Sequence, residues 1–123
     1  MESVHLHIKE LVEEVWKDDS KYDKNYKEIV KLLKRELKNN PSDIVALTNL
    51  GGAYCDTGKY KEAKKVLNKA IELNSNDRNT YFNLGVALMN SQTQEEAKEY
   101  FNKSSKLKEN ELTYEAYIDF QGY

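Results

Sequence analysis

A chain of 123 residues can bury one core and is too short for two. Its 19 Lys and Arg stand against 21 Asp and Glu for a net charge of −2, and the two signs are interspersed, so no basic stripe is left for a nucleic acid to follow. A lone cysteine, Cys55, rules out an intramolecular disulfide, and one proline with five glycines leaves few loops, which favours helices joined by short turns.

Residues 1–14 mix Glu, Lys and His with apolar side chains and lack the unbroken apolar core of a signal peptide. No stretch reaches the length of a membrane span, so a cytoplasmic protein with no membrane partner is expected. Val4, Ile8, Leu11, Val12, Val15 and Trp16 form an apolar stripe that predicts a helix over 3–17. A polar connection within 18–25 leads to a second helix over 22–38, which stops before Pro41. Asp43 stands as an N-cap for a third helix carrying Leu47, Leu50, Ala53 and Tyr54. Thr57-Gly58-Lys59 is the next turn, with Gly58 suited to a left-handed C-cap. Tyr60, Ala63, Val66, Leu67, Ala70 and Ile71 mark the fourth helix. Tyr81, Leu84 and Leu88 mark a fifth, and after a glycine-free turn at 90–93, Ala97, Phe101 and Leu107 mark a sixth. Residues 112–120 read as one C-terminal helix. Leu112, Tyr114, Tyr117, Ile118, Phe120 and Tyr123 give it more apolar surface than a cap requires, so it either packs inward or makes a homodimer or partner contact.

Self-similarity organises these elements. A shift of 34 residues lays 44–77 over 78–111 without a gap, matching Asn49 with Asn83, Leu50 with Leu84, Gly51 with Gly85, Ala53 with Ala87, Ala63 with Ala97 and Leu73 with Leu107. The shift reaches back more faintly, setting Tyr26, Glu28, Leu33 and Asp43 over Tyr60, Glu62, Leu67 and Asp77. One domain therefore comprises a degenerate helix pair at 1–41, repeats at 44–77 and 78–111, and a terminal helix at 112–123. Gly51, Gly85, Ala63 and Ala97 belong where antiparallel helices cross, since larger side chains would separate the backbones there. The lysine-rich stretches 59–69 and 98–108 read as a solvated convex face.

Asn49-Leu50-Gly51-Gly52-Ala53-Tyr54, Gly58-Lys59-Tyr60-Lys61-Glu62-Ala63 and Lys69-Ala70-Ile71-Glu72-Leu73 resemble the tetratricopeptide repeat signature, and Tyr81 to Ala87 with Glu96-Ala97 through Lys103 resembles a second copy. Ser75 and Glu109 replace the usual proline, and Ser104 the usual alanine. The resemblance implies an all-α superhelix of about three antiparallel helix pairs plus a capping helix. It also implies that the first helices line a concave groove for a partner protein or peptide. Thr48, Asn49, Gly52, Asn79, Phe82, Asn83, Val86 and Tyr117 are then the groove candidates. Asn49 and Asn83 can each pair with an extended backbone through both ends of the amide, and Phe82 with Val86 offers an apolar shelf that the terminal helix could instead cover. The carboxylate clamp of one subset of such repeats is not matched: Thr48, Gly52, Thr113 and Tyr117 stand where its basic and amide partners would be.

No catalytic constellation accompanies the groove. His5 and His7 lie two residues apart and point to different sides of a helix. Cys55 reads as a small residue near a helix end, and Gly51-Gly52 lies inside a helix with no phosphate-binding signature after it. A non-enzymatic adaptor without metal or cofactor is the expectation. The narrower alternative is a dedicated inhibitor or chaperone of one protein, of the toxin-immunity or secretion-chaperone type.

Overall fold

A computed structural model of the chain describes the backbone of residues 2–91 and 94–117, with side chains from residue 4 onward. Within those residues the regular structure is entirely helical: α1 (Glu2–Lys17), a 3-10 turn (Asp19–Lys21), α2 (Tyr22–Asn39), α3 (Ile44–Asp56), α4 (Tyr60–Glu72), α5 (Arg78–Met89) and α6 (Gln94–Ser104). The boundaries follow local chemistry. Asp43 caps α3 by accepting the Ala46 N–H at 3.0 Å, and Asp77 caps α5 by accepting that of Asn79 at 3.0 Å. Gly58 closes α3 with φ of 76°, and the Lys59 N–H reaches the Tyr54 carbonyl at 2.8 Å, a left-handed C-terminal cap.

Consecutive helices pair as α1 with α2, α3 with α4 and α5 with α6, and contacts of α2 with α3 and of α4 with α5 join the pairs into one stack. The first helices of the last two pairs, α3 and α5, also touch directly. Leu50, Ala63, Leu67, Leu84 and Ala97 are buried between the layers. A methyl group on Gly51 would overlap the Leu67 side chain, and one on Gly85 would sit 2.8 Å from the Phe101 ring. Leu67 and Phe101 are themselves 34 residues apart, so both repeats use one knob against one bare helix surface. On the outer face of α4, Lys61, Lys65 and Lys69 are exposed.

Helix α3 is buried on every side, from Ala46 through Cys55. Helices α2, α4 and α5 cover part of it. The rest is covered by residues 112–116, and here the expected C-terminal helix is corrected: 112–117 carry no helix. The remainder of that expectation, 118–123, lies outside the described residues. The physical reason is that α3 and α5 offer amide partners to the backbone groups of this segment, bonds that a helix would have kept to itself. A homodimer contact on such a helix has no helical face to use among the described residues.

Two smaller differences have local causes. Helix α6 ends at Ser104, before Leu107, because the hydroxyls of Ser104 and Ser105 each donate to a carbonyl three residues back, Phe101 and Asn102, at 2.7 Å and compete with the helical ladder. Trp16 belongs by spacing to the apolar stripe of α1, yet it is 62 % exposed while Val12 and Val15 are buried. Val15 takes the inward position, and the next residue is turned by about 100° around the helix.

In an open helix, replacing glycine by alanine stabilises by about 1 kcal/mol. At position 51 the overlap with Leu67 reverses the sign, so Gly51→Ala lowers the unfolding free energy by about 1–3 kcal/mol in urea titration. A stabilised Gly51→Ala would contradict the packing described.

Candidate partner-binding groove

Helices α3 and α5 lie side by side and present Asn49 and Asn83, which are equivalent in the two repeats and fully buried. Both ends of each amide are used. Asn49 Nδ2 donates to the Leu112 carbonyl at 3.0 Å, and its Oδ1 accepts the Tyr114 N–H at 3.2 Å. Asn83 Nδ2 donates to the Tyr114 carbonyl at 3.1 Å, and its Oδ1 accepts the Ala116 N–H at 2.8 Å. Residue 114 is therefore shared, its N–H held by one repeat and its C=O by the next. The segment runs in the same direction as α3 and α5, from Asn49 toward Asp56, where the Tyr117 N–H is accepted by Asp56 Oδ1 at 2.7 Å.

Side-chain contacts fix the register. Thr113 Oγ1 donates to Asp77 Oδ2 at 2.8 Å and accepts from Asn79 Nδ2 at 3.0 Å. Asp77 Oδ1, which already caps α5, also takes the Asn110 N–H at 3.0 Å. The Tyr114 ring rests on Gly52, where a methyl group would come within 3.1 Å of both the ring and Asn83 Nδ2. The Tyr114 hydroxyl is buried without a hydrogen-bond partner, so the ring carries the contact. From the other side Lys9 Nζ donates to the Glu111 carbonyl at 2.8 Å.

Of the eight groove candidates, the structure brings Asn49, Gly52, Asn79 and Asn83 together on this segment. Val86, one turn beyond Asn83, is buried. Thr48 turns aside to Thr80, hydroxyl to hydroxyl at 2.6 Å, and ties α3 to α5. Phe82 is half-buried and stands edge-on to Phe101 of α6 at 5.3 Å between centroids, so the shelf expected of Phe82 and Val86 is not formed as one surface. Tyr117 is exposed and lies edge-on to Trp16. Thr113 and Tyr114, which do the most for the segment, were not among the groove candidates.

Asp56 was also missed. It ends α3, where a negative charge opposes the helix dipole, and its counterpart 34 residues on is the neutral Asn90; together those were the available signal. Tyr26 Oη donates to Asp56 Oδ2 at 2.6 Å, and Tyr22 Oη donates to the Asp56 carbonyl at 2.8 Å. Burial pushes the Asp56 carboxyl up from 3.8 to about 6, against the pull of the Tyr26 and Tyr117 hydrogen bonds. Next to it, Cys55 is buried with Sγ 3.4 Å from the Asn83 carbonyl, and burial raises its thiol far above the ordinary range, so it stays protonated. His5 is buried, 3.5 Å from Asn49, and His7 is exposed. Among the described residues no group of three or more His, Cys, Asp and Glu is placed to hold a metal.

A family model described as TPR repeat matches residues 51–92, and one described as Tetratricopeptide repeat matches residues 79–111. No curated protein matches the chain.

The Asp56 carboxyl lies above its unfolded value, so the folded chain takes up this proton first as pH falls. Its contribution favours folding on the acid side and is lost as pH rises through about 6. His5 acts the other way. Burial lowers its pKa, with Asp43 and Glu36 opposing, so its contribution is present above 6.5 and lost as pH falls. Because the two oppose each other, the Tyr117 amide is the cleaner reporter. Its resonance in a 15N-resolved pH titration is expected to shift with a midpoint near 6, whereas a midpoint near about 4, the value of a solvated carboxylate, would show that Asp56 is not held as described.

Proposed function

Because the chain belongs to the tetratricopeptide repeat family, whose repeats mediate protein–protein interaction, we propose that it is a non-catalytic interaction module that takes an extended segment of a partner protein along α3 and α5. The observation that supports this reading is the pairing of Asn49 and Asn83 with both backbone groups of an extended chain. Such pairing reads the peptide backbone and leaves the identity of most side chains free. Here the chain's own residues 112–116 take the place that the partner's segment would take. Being tethered, they compete at a high effective concentration, so binding is an exchange of one extended segment for another. Residence in the cytoplasm belongs to the same reading, which the free Cys55 fits as a thiol in a reducing compartment. Among the described residues no helix is long and apolar enough to cross a membrane.

Affinity capture with mass spectrometry, using three baits of confirmed helical content, tests the proposal. Tyr114→Ala weakens the seated segment and should raise the yield of groove-bound partners by at least about tenfold, since each 1.4 kcal/mol of competition removed is one decade. Asn83→Ala should lose the same partners. Identical partner sets and yields for wild type and both variants would contradict the groove reading.

A further inference from the structure

Where residue 117 meets the end of α3, an open cleft of about 390 Å³ is lined by four aromatic rings, Trp16, Tyr22, Tyr26 and Tyr117, and by two carboxylates, Asp19 and Asp56. No lining residue is basic. The walls come from α1, the 3-10 turn, α2, α3 and the extended segment, so distant parts of the chain converge on it. Trp16 and Tyr117 stand nearly perpendicular, at 87° with centroids 5.6 Å apart. Tyr22 and Tyr26 are tilted at 59° and 5.1 Å apart. Trp16 is 62 % exposed and Tyr117 54 %.

The chemistry of this lining selects a class of ligand. Aromatic faces carry negative charge density and attract cations within about 6 Å of the ring centre. Both oxygens of Asp56 accept hydrogen bonds, from Tyr26 and from the Tyr117 amide, and both donors are neutral. Among the described residues no ion pair reaches Asp19 or Asp56. The cleft thus combines exposed π faces with uncompensated negative charge, which repels anions and disfavours purely apolar groups.

We propose that this cleft binds an organic cation of the ammonium or guanidinium class, as carried by a Lys or Arg side chain. The rings surround the cation with apolar and π contact, and the carboxylates complete it with charge-assisted hydrogen bonds. The site is separate from the groove contacts of Asn49 and Asn83. It is complete while the chain's own segment is seated, because Tyr117 follows residues 112–116 and its N–H is held by Asp56.

Trp16 is the only tryptophan, so its indole N–H resonance reports on the cleft directly. The full chain is titrated at constant ionic strength with N-acetyl-arginine methylamide, the corresponding lysine derivative, tetramethylammonium chloride and the neutral N-acetyl-citrulline methylamide. A saturable indole shift with the arginine or lysine compound, with citrulline binding at least about threefold more weakly, supports the site and a protein side chain as its source. Saturation by tetramethylammonium alone supports the site and assigns it to a free quaternary ammonium. Citrulline binding as tightly as arginine, or no saturable shift with any probe, overturns the proposal. Tyr117→Leu and Asp19→Asn, each confirmed as folded by circular dichroism, should each weaken cation binding by about threefold. Unchanged affinity in both would also overturn it.

Discussion

A segment of backbone with no helix or strand of its own can be buried only if each of its N–H and C=O groups finds a partner. In this chain two asparagine amides, one on α3 and one on α5, meet that requirement for the carbonyls of Leu112 and Tyr114 and the N–H groups of Tyr114 and Ala116. The arrangement depends on the repeat. Asn49 and Asn83 occupy equivalent places on neighbouring helices, so together they hold alternate backbone groups of one extended strand. Because side chains alternate along an extended chain, the amides hold the segment with Tyr114 and Ala116 buried and Glu115 and Tyr117 exposed.

Much of the surrounding sequence is explained by that one constraint. Between Asp43 and Asp56 helix α3 has no charged residue, since its concave face meets a covering strand rather than water. Gly52 has no side chain because the Tyr114 ring occupies the space. Asp77 serves both as the N-cap of α5 and as the anchor of the returning chain through Asn110 and Thr113. An unpaired amide in such a place would cost about 1–3 kcal/mol, so the asparagines and the segment stabilise each other.

The helices were legible because their signals are local. Asp43 and Gly58 act as read, and the 34-residue period assigned Gly51 and Gly85 to close helix contacts. The backbone-pairing capacity of Asn49 and Asn83 was legible too, from amide chemistry alone. Their occupant was not. Tyr114, Tyr117 and Ile118 fit a helical spacing while Leu112, Tyr114 and Ala116 fit an extended one, and over so short a stretch the two periods cannot be told apart. The choice between them is made by partners on α3 and α5, some sixty and thirty residues back in the chain. The family resemblance points Thr48 and Phe82 to the groove, but their neighbours Thr80 and Phe101 take them instead. Asp56 drew no notice because its role depends on Tyr22 and Tyr26 of α2, which share no motif with it.

Residues 112–116 lie extended across α3 and α5, held by Asn49 and Asn83. Backbone carbon chemical shifts of this segment, together with a nuclear Overhauser effect between the Tyr114 ring and the Gly52 α-protons, test this arrangement most directly. Extended-type shifts with that cross-peak are the predicted result. Helical shifts, or shifts of an unstructured chain without the cross-peak, would contradict it.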